Sequence, residues 1–134
     1  MNKKMLFAMF LLLFLAGCSK NQITGTTTLD LMQEASCPGV EIDFVEINGR
    51  TIVCHEDGLI RFNIENVGQK IVKGVFVKAD SEKTIMKELS TGEIISGNVA
   101  YALNPGIIEA SPIAKNGVIC TSNKVIYDGI EACN

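Results

Sequence analysis

Five cysteines and one histidine are the residues of this chain whose side chains could act as nucleophiles, metal ligands or redox groups. The cysteines are Cys18, Cys37, Cys54, Cys120 and Cys133, and the histidine is His55. A thiolate can accept a lipid, form a disulfide or bind a metal ion. A single imidazole can act as a general base or as one ligand of a metal. The sequence around each residue indicates which of these chemistries it supports.

Cys18 ends a segment organised like an export signal. Lys3 and Lys4 precede the apolar run Met5 to Ala16, which is about twelve residues long. A run of this length is too short to span a hydrocarbon core, which needs roughly twenty residues, but it suits the apolar region of a secretory signal. The run ends in Leu15-Ala16-Gly17-Cys18, which looks like a lipobox. In a lipobox the small residues fit the peptidase cleft and the thiol accepts a diacylglyceryl group.

The lipobox sets the expected organisation of the chain. We predict a lipoprotein signal peptide over residues 1–17, in preference to a plain signal peptide or a short signal anchor. Residues 18–36 then form the lipidated Cys18 and a polar, threonine-rich tether, which would hold a domain roughly 25 Å from the lipid. Residues 37–134 form that domain. At least two acyl chains give a stable anchor, so the expected location is a membrane, facing outside the cytoplasm.

The four remaining cysteines favour disulfides. An even number of cysteines in an exported domain of about 100 residues is typical of a disulfide framework. Three pairings are possible, and we predict Cys37–Cys54 and Cys120–Cys133 because each closes a short local loop, contributing roughly 3 kcal/mol. A metal site with four cysteine ligands is disfavoured because the sequence contains no CxxC spacing.

Composition and charge exclude one class of partner. Loss of Lys3 and Lys4 with the signal leaves ten of the twelve Lys and Arg residues against fifteen Asp and Glu, a formal charge of −5. Nucleic-acid binding needs a basic footprint, so it is not expected. The same charge argues against electrostatic attraction of the chain to anionic lipid.

From Val40 onward the hydrophobic pattern has the period of two that marks half-buried strands. Ile60, Phe62 and Ile64 alternate with polar residues, as do Val40, Ile42 and Phe44. Turn signals at Asn48-Gly49, Asp57-Gly58, Ser90-Thr91-Gly92, Asn104-Pro105-Gly106 and Asn116-Gly117 separate the runs. The segment Thr84 to Leu89 fits a strand or a short helical turn, and the run from Ile94 to Leu103 is expected to be extended. About seven strands at this spacing predict an all-β fold, an immunoglobulin-like antiparallel β-sandwich, with a small β-barrel as the alternative.

Three stretches resemble the CARDB-like, cell-adhesion-related modules of prokaryotic surface proteins. They are LIRFNIENVGQKIVKGVFVKAD at Leu59 to Asp80, KELSTGEIISGNVAY and IIEASPIAKNGVIC. The matching residues are Phe62, Ile64, Asn66, Gly68, Gly74, Val75, Val77, Leu89, Gly92, Glu93, Val99, Tyr101, Ile108, Pro112 and Ile113. The resemblance covers about residues 59–133 and implies an immunoglobulin-like sandwich used as a spacer or adhesion module, without catalytic residues. The segment Cys37 to Glu56 departs from the usual module.

The sequence does not indicate an enzyme. His55 is the only histidine, and we interpret it as a solvated loop residue. Glu41, Asp43 and Glu46 could bind a cation, but they read as a solvated face without the spacing of a calcium loop. Asn66 and Gly68 are interpreted as a turn in which the asparagine bonds the backbone and the glycine takes a positive φ. No GxSxG motif or phosphate loop is present, so no cofactor or metal is expected.

The function expected from these observations is that of a lipid-anchored, non-catalytic structural or adhesion module. Its partners would be the membrane, through the anchor, and other envelope or surface proteins. The alternative is a ligand- or inhibitor-binding envelope lipoprotein that uses a pocket or a loop of the sandwich. A deep apolar pocket would favour the alternative, and a closed sandwich with a flat exposed face would favour the module.

Overall fold

The fold was examined in a computed structural model, which describes residues 35–134. The predicted signal peptide, Cys18 and the tether up to residue 34 lie outside the described residues. The described residues belong to a compact unit that spans Gln33–Asn134. They form eleven β-strands and one short 3₁₀ helix, so the prediction of an all-β fold is confirmed.

The strand bounds follow the alternating runs of the sequence, with short turns between them. The strands are β1 (Ile42–Phe44), β2 (Glu46–Ile47), β3 (Arg50–Thr51), β4 (Val53–Glu56), β5 (Leu59–Asn66), β6 (Gly74–Lys78), β7 (Glu82–Ile85), β8 (Ile94–Ala100), β9 (Ile108–Ile113), β10 (Val125–Tyr127) and β11 (Glu131–Ala132), and the 3₁₀ helix is Thr121–Asn123.

The first sheet is built around β5, the longest strand. One side of β5 pairs with β8, and the other side pairs with β1 near its end and with β4 near its start, all antiparallel. β11 lies parallel to the outer side of β4. Between β1 and β4, the chain makes the β2–β3 hairpin. The segment Cys37 to Glu56 therefore contributes an interrupted strand to this sheet.

The second sheet has the strand order β10-β9-β6-β7, and every neighbouring pair is antiparallel. Its buried side chains include Val75 and Val77 on β6, whereas Phe76 between them is only half-buried. These valines share one core with Ile60, Phe62 and Ile64 of the first sheet. Two sheets that are antiparallel apart from the β4–β11 pair and that bury their faces against one core are consistent with a β-sandwich.

One tight turn closes the β2–β3 hairpin, and a second joins β4 to β5 in the first sheet. Asn48 and Gly49 have φ of 53° and 74°, and Asp57 and Gly58 have φ of 52° and 76°. Positive φ at both central residues is the signature of the type I′ turn, which asparagine or aspartate followed by glycine favours. The turns predicted at these two positions are therefore confirmed.

The predicted extent of two strands is wrong. The segment Thr84 to Leu89 is neither wholly strand nor helical, because β7 ends at Ile85 and Leu89 makes only an isolated bridge to Val72. The long run predicted to end at Leu103 stops at Ala100, and the Leu103 side chain is 89% exposed. In both cases apolar residues continue beyond the last paired residue of the strand.

Gly68 is required by close packing rather than by its φ. It is buried, and it is not among the glycines with positive φ. A Cβ atom at Gly68 would lie 2.5 Å from the carbonyl oxygen of Gly39 and 2.7 Å from the backbone nitrogen of Glu41. The predicted turn exists, but its glycine is there to let two backbone segments approach each other.

Replacing Gly68 with alanine should lower the free energy of unfolding by about 1–3 kcal/mol, the usual cost of overpacking. The atoms in the way belong to backbone and cannot rotate aside. Gly106→Ala is the matched control, because nothing lies within 4 Å of a Cβ at Gly106. Thermal unfolding of the two variants measures the difference, and equal melting temperatures would show that the Gly39–Gly68 approach is not as tight as described.

Candidate functional site

The cysteines are paired in two disulfides, but not in the predicted way. Cys37 is bonded to Cys120 and Cys54 to Cys133, with Cα–Cα distances of 5.5 and 4.9 Å. The prediction of two disulfides is confirmed, and the pairs Cys37–Cys54 and Cys120–Cys133 are wrong. Because all four sulfurs are consumed by disulfides, the four-cysteine metal site is excluded.

The observed pairs follow from contacts between distant parts of the chain. Cys133 follows β11, which lies parallel to β4, and its N–H donates to the carbonyl of His55, the neighbour of Cys54. Cys37 and Cys120 are both buried, where Asn123 donates to the carbonyl of Cys37. The bonds span 83 and 79 residues. In the chain-entropy model a loop of that size contributes about 4.5 kcal/mol when taken alone.

Peptide mapping of the oxidised protein without reduction should recover a Cys37–Cys120 peptide and a Cys54–Cys133 peptide. Both pairs are expected because the strand pairings hold their Cα atoms within bonding distance. The same map after reduction is the control, since both linked peptides should then disappear. Recovery of Cys37 linked to Cys54 would contradict the position of β11 beside β4.

His55 is not the loop residue that the sequence suggested. It lies in β4, it is half-buried, and its Nδ1 is 3.0 Å from the hydroxyl of Tyr101. The two rings meet edge to face, with centroids 5.7 Å apart. Within residues 35–134, no third side chain hydrogen-bonds to this pair. The contact therefore joins β4, close to the β4–β5 turn, to the chain that follows β8.

The acidic residues of the first strands are exposed, as predicted. Asp43 Oδ1 accepts the N–H of Phe44, and Glu46 Oε1 accepts the hydroxyl of Thr51. Glu41 is exposed as well. In the part of the chain that the structure describes, no three His, Cys, Asp or Glu side chains are grouped so that they could hold a metal ion. The carboxylates of Asp43 and Glu46 therefore accept local hydrogen bonds.

Asn66, the last residue of β5, is fully buried, at 0% exposure. Its Nδ2 donates to the carbonyls of Lys70 and Leu89, at 2.9 and 2.8 Å, and its Oδ1 accepts the N–H of Gly68 at 3.0 Å. The predicted role, a side chain bonding the turning backbone, is confirmed. The bond to Leu89 was not foreseen, because it joins segments separated by 23 residues.

One open recess lies where the described chain begins. Its volume is about 340 Å³, and it is lined by Ser36, Val40, Lys70, Ile71, Ala114, Lys115 and Asn116. The amide of Asn116 donates to the Ser36 hydroxyl at 2.7 Å. The recess was missed at the sequence level because its lining comes from three distant segments. The alternating pattern marks Val40 as a core residue but gives no sign of a concave surface.

The comparisons with known proteins add no relative. No protein-family model matches the chain, and no curated protein sequence is significantly similar to it. Within the described residues, no helix is both long and apolar enough to cross a membrane.

Proposed function

We propose that this protein is a lipid-anchored envelope protein whose residues 37–134 form an immunoglobulin-like, non-catalytic interaction module. In this proposal Cys18 carries the lipid, and residues 1–17 are removed as a lipoprotein signal peptide. The module is held outside the cytoplasm and contacts other envelope or surface proteins. The CARDB-like resemblance of residues 59–133 points to the same class of adhesion or spacer module.

The observation that carries the fold part of the proposal is the strand order. The interrupted strand formed by β1 and β4 pairs with β5, which pairs with β8. The facing sheet is β10-β9-β6-β7. With the two-residue strand β11 left out of the count, there are seven strand positions, and the chain changes sheets after β5, after β7, after β8 and after β10. Such crossings between two antiparallel sheets are the Greek-key connections of immunoglobulin-like sandwiches.

The side chains that could act as nucleophiles, bases or ligands support an interaction module because they form bonds within the domain. The Asn66 side chain forms three hydrogen bonds to loop backbone, and each of the four cysteines in residues 35–134 is part of a disulfide. His55 is bonded to a single tyrosine hydroxyl. A rigid, doubly stapled sandwich with exposed loops offers surfaces for binding, since loops on a rigid scaffold commonly carry recognition. The open recess is the feature that supports the ligand-binding alternative.

The anchor is tested by labelling cells with a fatty acid during growth. The wild-type protein should take up the label, and Cys18→Ser should not, because a hydroxyl does not replace the thiol that accepts the diacylglyceryl group. The serine variant should also keep its signal peptide. A variant with serine at both Cys54 and Cys133 is the control for loss of thiols and should still be labelled. Fatty-acid label on the Cys18→Ser protein would contradict the proposed anchor.

A further inference from the structure

The surface around the recess, which we call the tether-proximal face, is defined by Ser36, Val40, Lys70, Ile71, Ala114, Lys115 and Asn116. It is the place where the described chain begins, because Ser36 is held there by the Asn116 amide. At the same face, the N–H of Lys70 donates to the carbonyl of Gly39 and so joins two of the segments that line it. The segment that leads to Cys18 therefore leaves the domain at this face.

The chemistry of this face is apolar in the middle and basic at the rim. Val40 and Ala114 are buried beneath it, while Ile71 is 39% exposed. Lys70 and Lys115 are exposed, and the lining contains no carboxylate. Neither lysine takes part in an ion pair among residues 35–134. The local charge is therefore the reverse of the formal charge of the chain without residues 1–17, which is −5.

We propose that the tether-proximal face lies against the anionic lipid surface, with Ile71 at the level of the acyl boundary and Lys70 and Lys115 at the level of the phosphates. This inference rests on the proposed lipid anchor at Cys18. Lysine side chains can lay their methylene stems along apolar surface and keep the ammonium groups in the polar layer. Basic residues near an anionic leaflet are attracted within a Debye length of the surface.

The tether alone does not set this orientation. The residues between Cys18 and Ser36 can extend over several tens of ångströms, so any face of the domain could reach the membrane. The tether does keep the domain at a high effective concentration near the lipid, where a weak attraction is enough to select one face. The face that combines two lysines outside any ion pair, an exposed isoleucine and a lining without carboxylates is selected over the acidic remainder of the domain.

Tryptophan quenching tests the orientation directly, because the chain contains no tryptophan. The full-length lipidated protein, carrying Ile71→Trp, is reconstituted into phosphatidylcholine vesicles that contain phosphatidylglycerol and lipids with brominated acyl chains. Its emission should shift to shorter wavelength and be quenched by the bromine atoms. Melting temperatures check that each variant is folded, and mass spectrometry checks that the protein carries lipid before reconstitution.

Leu103→Trp is the matched control. Leu103 is 89% exposed and follows Ala100, which pairs with Leu59 at the start of β5. The tether-proximal face lies near the other end of β5, where Asn66 bonds the carbonyl of Lys70. The eight residues of β5 separate the two ends by about 25 Å, so tryptophan at position 103 should remain unquenched.

The outcomes separate this inference from the proposed anchor. Quenching at position 71 and not at position 103 supports it, and Lys70→Glu combined with Lys115→Glu should then remove most of that quenching. Equal emission with and without bromine at position 71, in protein shown to carry lipid, would overturn the orientation and leave the anchor standing. Protein without lipid would refute the anchor, and the orientation would fall with it.

Discussion

Phe62→Ala should lower the free energy of unfolding by about 3–5 kcal/mol, the usual cost of truncating a buried phenylalanine. The Phe62 ring is 1% exposed and lies directly across from Gly97 on β8. A Cβ at Gly97 would be 2.7 Å from the ring, so the ring fills the space above the glycine. For a domain of this size the melting temperature should fall by at least about 12 °C, measured by thermal unfolding.

Two further variants show whether the ring and the glycine act together. Phe76→Ala is the matched control, because Phe76 is half-buried beside the buried valines of β6, and it should cost about 1 kcal/mol. Gly97→Ala should destabilise the wild type by overpacking but should cost less in the Phe62→Ala background, where the ring is gone. Additive losses would contradict the contact between Phe62 and Gly97.

Asn66→Ala should lower the free energy of unfolding by about 2–4 kcal/mol. The change removes three hydrogen bonds and leaves the carbonyl of Lys70 without its donor. The carbonyl of Leu89 keeps a second donor, the N–H of Val72, and the N–H of Gly68 keeps a second acceptor, the carbonyl of Glu41. These remaining bonds limit the loss. Chemical denaturation of the purified protein measures the change.

Asn66→Asp isolates the part played by the two donated hydrogen bonds. The aspartate has nearly the same shape and keeps the acceptor for Gly68, but its carboxylate has no hydrogens to offer the two carbonyls and would be buried without a counter-charge. We expect it to be at least as destabilising as Asn66→Ala. Asn63→Ala is the control from the same strand, because Asn63 is only half-buried and bonds the Ser96 hydroxyl. A stable Asn66→Asp protein would contradict the assigned hydrogen bonds.

Local patterns in the sequence predicted the parts of the fold that depend on neighbouring residues. Alternation placed Ile60, Phe62 and Ile64 on the buried side of one strand, and all three are buried. Asn48-Gly49 and Asp57-Gly58 predicted turns because both residues of each pair tolerate positive φ. These successes need only the side-chain period of a strand and the steric preferences of two turn residues.

The parts that depend on distant contacts could not be predicted. The disulfides were assigned to the nearest cysteines, whereas β11 returns to β4 after the rest of the domain and carries Cys133 to Cys54. Gly68 was predicted to have a positive φ, but glycine is required there because the backbone of Gly39 and Glu41 leaves no room for a Cβ atom. His55 appeared to be a loop residue because its partner, Tyr101, is 46 residues away. The spacing of residues along the sequence does not reveal such contacts between distant segments.

The central claim, that this domain is held on a membrane by a lipid at Cys18, is tested most directly by mass spectrometry of the protein isolated from the membranes of cells that produce it. The N-terminal peptide should begin at Cys18 and carry a diacylglyceryl group on its sulfur. Protein from the Cys18→Ser variant, treated in the same way, should retain residues 1–17. An N-terminal peptide from the wild type that still contains residues 1–17, with Cys18 as a free thiol, would contradict the account.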